Sequence, residues 1–136
     1  MSGEEEAVTP FEHFGGQVTV DRLVDVFYLR MDTLPEARGI RALHPEDLGP
    51  ITALLKKYLA EWLGGPKQYS NERGHPRLRA RHLPFPIGSA ERDAWLLCMD
   101  GAIDEVIAPS PVREEIREAV IKLADWMRNR AEQAPV

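Results

Sequence analysis

The stretch Gly74-His75-Pro76-Arg77-Leu78-Arg79-Ala80-Arg81-His82-Leu83-Pro84-Phe85-Pro86-Ile87 decides how this sequence is read. Prolines 76, 84 and 86 forbid a long helix through it, because proline removes a backbone donor and clashes with the preceding turn. The wider segment from Lys67 to Gly88 reads as a loop with one short helix. From Pro66 to Gly88 the bases are Lys67, Arg73, Arg77, Arg79 and Arg81, and the only acid is Glu72. A basic segment therefore sits inside a chain of net charge −5. Two readings of that basicity stand open: a solvated loop, or a receptor for a small anion. An irregular segment of about 20 residues is uncommon in a compact domain and usually has a functional cause. A buried nonprotein group would be such a cause, ordering the loop and filling space between helices.

Outward from this segment the pattern is helical on both sides. Thr9-Pro10-Phe11-Glu12 opens a short helix, with Thr9 as cap, Pro10 in the first turn and Glu12 completing a capping box; Gly15-Gly16 stops it. Val20, Leu23, Val24, Phe27 and Met31 form one apolar stripe over Val18 to Asp32, with Tyr28 at its edge. Pro35 opens a short helix ending near His44-Pro45. Asp47 caps the next helix, in which Ile51, Leu54, Leu55, Tyr58, Leu59 and Trp62 define a buried face. Gly64-Gly65-Pro66 ends it. Downstream, Ser89 caps a helix to about Ile107 whose apolar face is Trp95, Cys98, Met99, Ala102, Ile103 and Val106. Ser110-Pro111 begins the last helix, with Ile116, Ala119, Val120, Leu123 and Met127 as its stripe. No strand pattern competes, so the expected class is all-α. Residues 1–136 read as one domain, with a short flexible N-terminal extension and a C-terminus frayed from Ala131.

Composition narrows the function classes. The 136 residues make one domain's length, and 43% are hydrophobic, against long-range disorder. The acidic balance argues against a general nucleic-acid binder. One cysteine, Cys98, excludes an internal disulfide framework and cysteine-rich zinc or iron–sulfur sites. No apolar run is long enough for a membrane helix, and the acidic start is unlike a signal peptide. The expectation is a soluble cytoplasmic protein.

No P-loop, dinucleotide fingerprint, HExxH or calcium loop is present. His44, His75 and His82 match no local zinc spacing, and Cys98 lies on an apolar helix face as a small core residue. His82 stands apart, between Arg81 and the apolar turn Leu83-Pro84-Phe85-Pro86-Ile87. A neutral imidazole binds iron through one ring nitrogen while the other donates to a backbone carbonyl. Nearby arginines suit carboxylates at the edge of the same cofactor. From spacing alone, an ordinary loop or helix-end histidine is the readier reading, and other binding roles stay open beside the iron ligand.

Three signatures in order and register add to this. Tyr58-Leu59-Ala60-Glu61-Trp62-Leu63-Gly64-Gly65-Pro66 with Tyr69, the stretch from Gly74 to Ile87, and Glu91-Arg92-Asp93-Ala94-Trp95-Leu96-Leu97-Cys98-Met99 strongly resemble the group II (O-type) truncated haemoglobins. Phe27-Tyr28 and His44-Pro45-Glu46-Asp47-Leu48 fit the same pattern. The resemblance runs from about Phe14 to Val106, with a looser last helix.

The resemblance implies a truncated globin fold, a two-over-two helical sandwich around non-covalently bound haem b (iron protoporphyrin IX). Helices Val18–Asp32 and Asp47–Leu63 would form one layer, and Ser89–Ile107 and Ser110–Arg130 the other. His82 matches the proximal iron ligand; Tyr28 and Trp95 match the distal tyrosine and tryptophan. His44 falls at a pocket position that is Tyr or Phe in many relatives, where it adds a distal hydrogen bond or covers the haem edge. Ile51 and Leu55 line the distal face without a hydrogen-bonding group. Arg81 is the first propionate partner, with Lys56 or Lys57, Tyr69, His75 and Arg79 as further candidates. Tyr58, Leu78, Phe85, Ile87 and Met99 pack against haem. The implied function is reversible dioxygen binding, for transport or storage. The alternatives are nitric oxide dioxygenation or peroxide chemistry with an external reductase, and gas sensing through a separate partner. Carbon monoxide and sulfide are further candidate ligands, and a monomer or a homodimer is expected.

Overall fold

Glycines and prolines cut the chain into short and long helices in alternation. The computed structural model describes residues 9–75 and 77–129, without the side chains of Leu78 and Arg79. Within them lie α1 (Pro10–Phe14), α2 (Gly16–Thr33), α3 (Arg38–Ala42), α4 (Gly49–Trp62), α5 (Gln68–Arg73), α6 (Leu78–His82), α7 (Ser89–Val106) and α8 (Pro111–Trp126), with a 3₁₀ turn at Pro35–Ala37. No strand occurs among the described residues. The expected N-terminal extension and the fraying from Ala131 lie outside them.

The long helices are made by their stripes. Val20, Leu23, Val24, Phe27 and Met31 of α2 are buried, and Tyr28 joins them. On α7, Cys98, Met99, Ala102 and Ile103 have no exposure at all. These two faces meet: α2 packs along α7, while α4 packs beside α2 and α8 beside α7. The result is two helix pairs crossed over each other, the all-α two-over-two sandwich expected above. Burying an aliphatic or aromatic side chain of this kind stabilises by about 1.5–3 kcal/mol, and α2 contributes its whole stripe.

Caps and breaks follow local chemistry. The Thr9 hydroxyl accepts from the Glu12 N–H at 3.2 Å, and Ser110 does the same for Arg113. α4 ends where Gly64 turns to φ 94°. Gly65 follows it because a Cβ there would lie 2.7 Å from the Phe11 ring and 2.8 Å from the Ala60 carbonyl.

Three expectations are corrected. Asp47 is not the N-cap of α4; Leu48 is, and Asp47 instead accepts from the Gly49 N–H two residues on, at 2.9 Å. Ser89 is the first residue of α7 rather than its cap. Gly88 occupies the cap, and its N–H is taken by Glu91 Oε1 at 2.7 Å. The irregular segment holds two short helices rather than one, because α5 ends before the prolines begin. Gly74 (φ 76°) and Arg77 (φ 46°) then turn the chain into α6.

The apolar face of α4 is left incomplete. Only Leu59 and Ala60 of that helix are buried, while Ile51, Leu54, Leu55, Tyr58 and Trp62 remain half-exposed. α6 has no substantial backbone packing on any other helix. A gap therefore runs between the start of α4, α6 and the start of α7.

Candidate functional site

That gap is a cavity of about 260 Å³. Its walls are mainly apolar: Ile40, Leu43 and Pro45 from around α3, Ile51 from α4, Phe85 and Ile87 after α6, and Ala124 from α8. Five residues with polar groups in their side chains also line it: His82 from the end of α6, His44 from the turn after α3, and Glu91, Arg92 and Trp95 from the first two turns of α7.

The wall holding His44 and Trp95 is an aromatic stack rooted in α2. Phe27 lies edge-on to Trp95 with ring centroids 5.3 Å apart, and edge-on to Tyr28 at 4.9 Å. Tyr28 in turn lies edge-on to the His44 ring at 6.1 Å. Phe27 is 1% exposed, so the stack is fixed by the core. Burial pushes the Tyr28 hydroxyl up to about 12, which keeps it protonated at any ordinary pH.

His44 has a defined tautomer. Its Nδ1 lies 2.7 Å from the Ile40 carbonyl oxygen. A carbonyl only accepts, so Nδ1 carries the proton and neutral Nε2 keeps its lone pair. Burial first, then the charges of Arg41 and His82, hold the imidazole below its usual value against the opposing Ile40 bond. At neutral pH the ring is uncharged and Nε2 is an acceptor. Arg41 fixes the turn that carries it, with guanidinium bonds of 2.9 Å each to Asp32, the Pro45 carbonyl and the Glu46 carbonyl.

The His82 side of the cavity is tied to the end of the chain. Asn129, beyond α8, donates from Nδ2 to the carbonyls of His82 (3.0 Å) and Phe85 (2.9 Å). Its Oδ1 accepts from the Ile87 N–H at 3.0 Å, and its own N–H donates to the Ile87 carbonyl at 2.8 Å. Arg92 is the cation in the cavity wall, and it is held by Asp125 (2.6 Å) and Asp93 (3.0 Å).

Of the residues singled out in the sequence, the structure brings His44, Ile51, His82, Phe85, Ile87 and Trp95 together in the cavity. Tyr28 stands behind His44 rather than in the wall. Met99 is wholly buried in the core, and Leu55 packs against that core. Tyr58 and Tyr69 lie edge-on to each other at 5.9 Å, away from the cavity wall. Lys56 pairs with Asp25 at 2.9 Å and Lys57 with Glu72 at 2.7 Å. His75 is exposed and its Nδ1 accepts from the Arg77 N–H at 3.0 Å; Arg81 is exposed. The side chains of Leu78 and Arg79 lie outside the described residues. Sequence reasoning missed Ile40, Leu43, Arg92, Ala124 and Asn129. The Ile40 and Leu43 turn is too short to show a period, and nothing local marks Asn129.

A family model for bacterial-like globins matches residues 9–129. The chain belongs to the bacterial-like globin family. Within that family it groups with the group II truncated haemoglobins. It is 40% identical over 123 residues, 90% of each chain, to a group 2 truncated haemoglobin of Bacillus subtilis. Among solved structures, the group II 2-on-2 haemoglobin of Agrobacterium tumefaciens superposes with a TM-score of 0.88 at 49% identity, over 93% of this chain and 98% of that one. The group II truncated haemoglobin of Bacillus anthracis gives 0.87 at 38% identity, over 95% and 97%.

A globin of this kind implies haem, and the residues present fit one. The cavity wall is mainly apolar, from Ile40, Leu43, Ile51, Phe85 and Ile87, which suits a flat apolar group. Phe85 in that wall is 41% exposed. His82 at the end of α6 lines the same cavity as Trp95 and His44. An imidazole in a mainly apolar cavity is the kind of group that would hold haem iron.

Proposed function

We propose that this globin holds haem b through His82 and serves to bind dioxygen reversibly. The observation that carries the reading is that His82 lines one mainly apolar cavity together with Trp95 and His44. When bound, haem supplies a ferrous iron able to take a diatomic ligand. The protein's part is to hold, shield and polarise.

His82 supplies the one protein ligand. The apolar walls, Ile51, Phe85 and Ile87 among them, exclude water and so strengthen every polar contact inside. Trp95 offers an indole N–H, a donor only, to a ligand that gathers negative charge on binding. The Phe27–Tyr28–Trp95 stack holds that indole in place. His44, as an acceptor at neutral pH, does not compete for the same charge. Arg81, on the exposed rim, is the cation for the haem carboxylates. Lys56 and Lys57 already have acidic partners, and Arg92, in the wall, would share its charge with Asp93 and Asp125.

One observation favours a second reading, peroxide reduction. The bare Nε2 of His44 is a proton acceptor inside the cavity, which an entering peroxide O–H can use. That reaction needs an external reductant, which would come from a separate reductase.

The test is spectroscopic. Loaded with haem, reduced and exposed to air, the protein is expected to give an oxygenated spectrum that reverts on removing oxygen over repeated cycles. Immediate conversion to the ferric form, with rapid peroxide consumption on adding a reductant, would replace the first reading by the second.

A further inference from the structure

The turn that carries His82 has little to hold it from within. Prolines 84 and 86 have no N–H to give, α6 is a single turn and a half, and among the described residues it packs closely on no other helix. Within the turn, the Leu83 N–H donates to the Ala80 carbonyl at 3.3 Å and the Phe85 N–H to the His82 carbonyl at 2.9 Å. Further bonds come from 40 and more residues away in sequence. The Asn129 carboxamide donates to the carbonyls at each end of the turn, His82 and Phe85, and accepts from Ile87. Its backbone N–H completes a reciprocal pair with Ile87. A neighbouring tie runs from Arg128 Nη1 to Ser89 Oγ at 3.3 Å.

We propose that Asn129 is a positioning residue for His82: its carboxamide sets where the imidazole stands in the cavity and couples the end of α8 to the iron ligand. The proposal rests on the reading of His82 as that ligand. Only asparagine supplies two donors and one acceptor from a planar group of this length. Aspartate has the same shape but loses both donors and sets a negative charge against two carbonyl oxygens. Alanine leaves those carbonyls and the Ile87 N–H without their partner.

The test compares wild type with Asn129→Asp, Asn129→Ala and Val120→Ala, all haem-loaded. Val120 is buried on α8, the helix that leads to Asn129, and makes none of these bonds, so it reports on loss of α8 stability alone. The readouts are the ferrous iron–histidine stretching band, the rate of haem release, and hydrogen exchange at the Ile87 amide. Both Asn129 variants are expected to shift or broaden the band and to release haem about tenfold or more faster, the equivalent of two ordinary hydrogen bonds. In Asn129→Ala the Ile87 amide is expected to lose its protection. Val120→Ala is expected to lower Tm while keeping the wild-type band. If Asn129→Asp does not fold, Asn129→Ser, which keeps one hydroxyl donor, is expected to show a smaller change in the same direction. An unchanged band and release rate in the Asn129 variants, or an equal change in Val120→Ala, overturns the proposal while leaving His82 as ligand. A wild type without an iron–histidine band overturns both.

Discussion

Two side chains divide the polar work proposed for the cavity, and each can be removed by itself. Trp95 is the proposed donor. A hydrogen bond to a charged ligand contributes about 1.5–3 kcal/mol, so Trp95→Phe is expected to speed dioxygen release by about tenfold or more in flash-photolysis or stopped-flow measurements. An unchanged rate would assign Trp95 to packing alone. His44 is the acceptor, and its burial has a pH signature. Its native pKa lies below the usual 6.5, so the unfolded chain takes up the proton first as pH falls. The stability it contributes is complete above pH 6.5 and is lost as pH falls from there through the native value. His44→Phe is expected to flatten the dependence of Tm on pH between about 7 and 5. Persistence of the wild-type slope in that variant would show that His44 is not its source. The residue types in this wall were legible in the sequence, and the resemblance gave Trp95 its distal place; which way His44 acts was left open. The acceptor role of His44 depends on where the Ile40 carbonyl lies, which only the folded turn reveals.

At the scale of the elements, the sequence announces what is local and hides what is shared. The Thr9 and Ser110 caps and the stripes of α2, α7 and α8 are written in residues three or four apart, and they fold as that spacing requires. The Asp47 and Ser89 assignments fail by one residue: Asp47 takes the Gly49 N–H from one position before the cap, and α7 already begins at Ser89 with Gly88 as its cap. The clamp from Asn129 has no local mark, since its partners lie in a different part of the chain. Gly65 is an intermediate case. A helix-ending Gly pair is visible in the sequence, but the contact that forbids a side chain there is the Phe11 ring of α1. Gly65→Ala forces a Cβ onto that ring and the Ala60 carbonyl, and is expected to destabilise by about 1–3 kcal/mol, an overpacking effect. Chemical denaturation measures it, and a variant as stable as wild type would show that α1 yields without loss.

The whole molecule is two helix pairs held at one crossing, with α8 stapled to α7 by charge as well as by packing. Arg117 bonds Asp104 at 2.6 Å and also meets Asp100, and Arg113 joins at Asp104. These guanidinium bonds, Arg117 first and then Arg113, hold the Asp104 carboxyl below its ordinary value. The native state therefore binds that proton less readily than the unfolded chain. The contribution is present above the unfolded carboxylate pKa of about 3.9 and fades as pH falls below it. Asp104→Asn is expected to lower Tm at pH 7, and the gap to wild type is expected to narrow as pH falls below about 3.9. The difference shrinks with added salt, because the pair is exposed. A constant gap at all pH values would point to packing instead.

What this two-over-two frame leaves open at its centre is a cavity with one imidazole on its α6 side, and everything functional depends on that imidazole meeting iron. The measurement that tests it most directly is the low-frequency resonance Raman spectrum of the ferrous, haem-loaded protein, wild type against His82→Gly. The account predicts an iron–histidine band in wild type, its loss in His82→Gly, and its return near the same frequency when free imidazole is added. The same band persisting in His82→Gly without imidazole would contradict it.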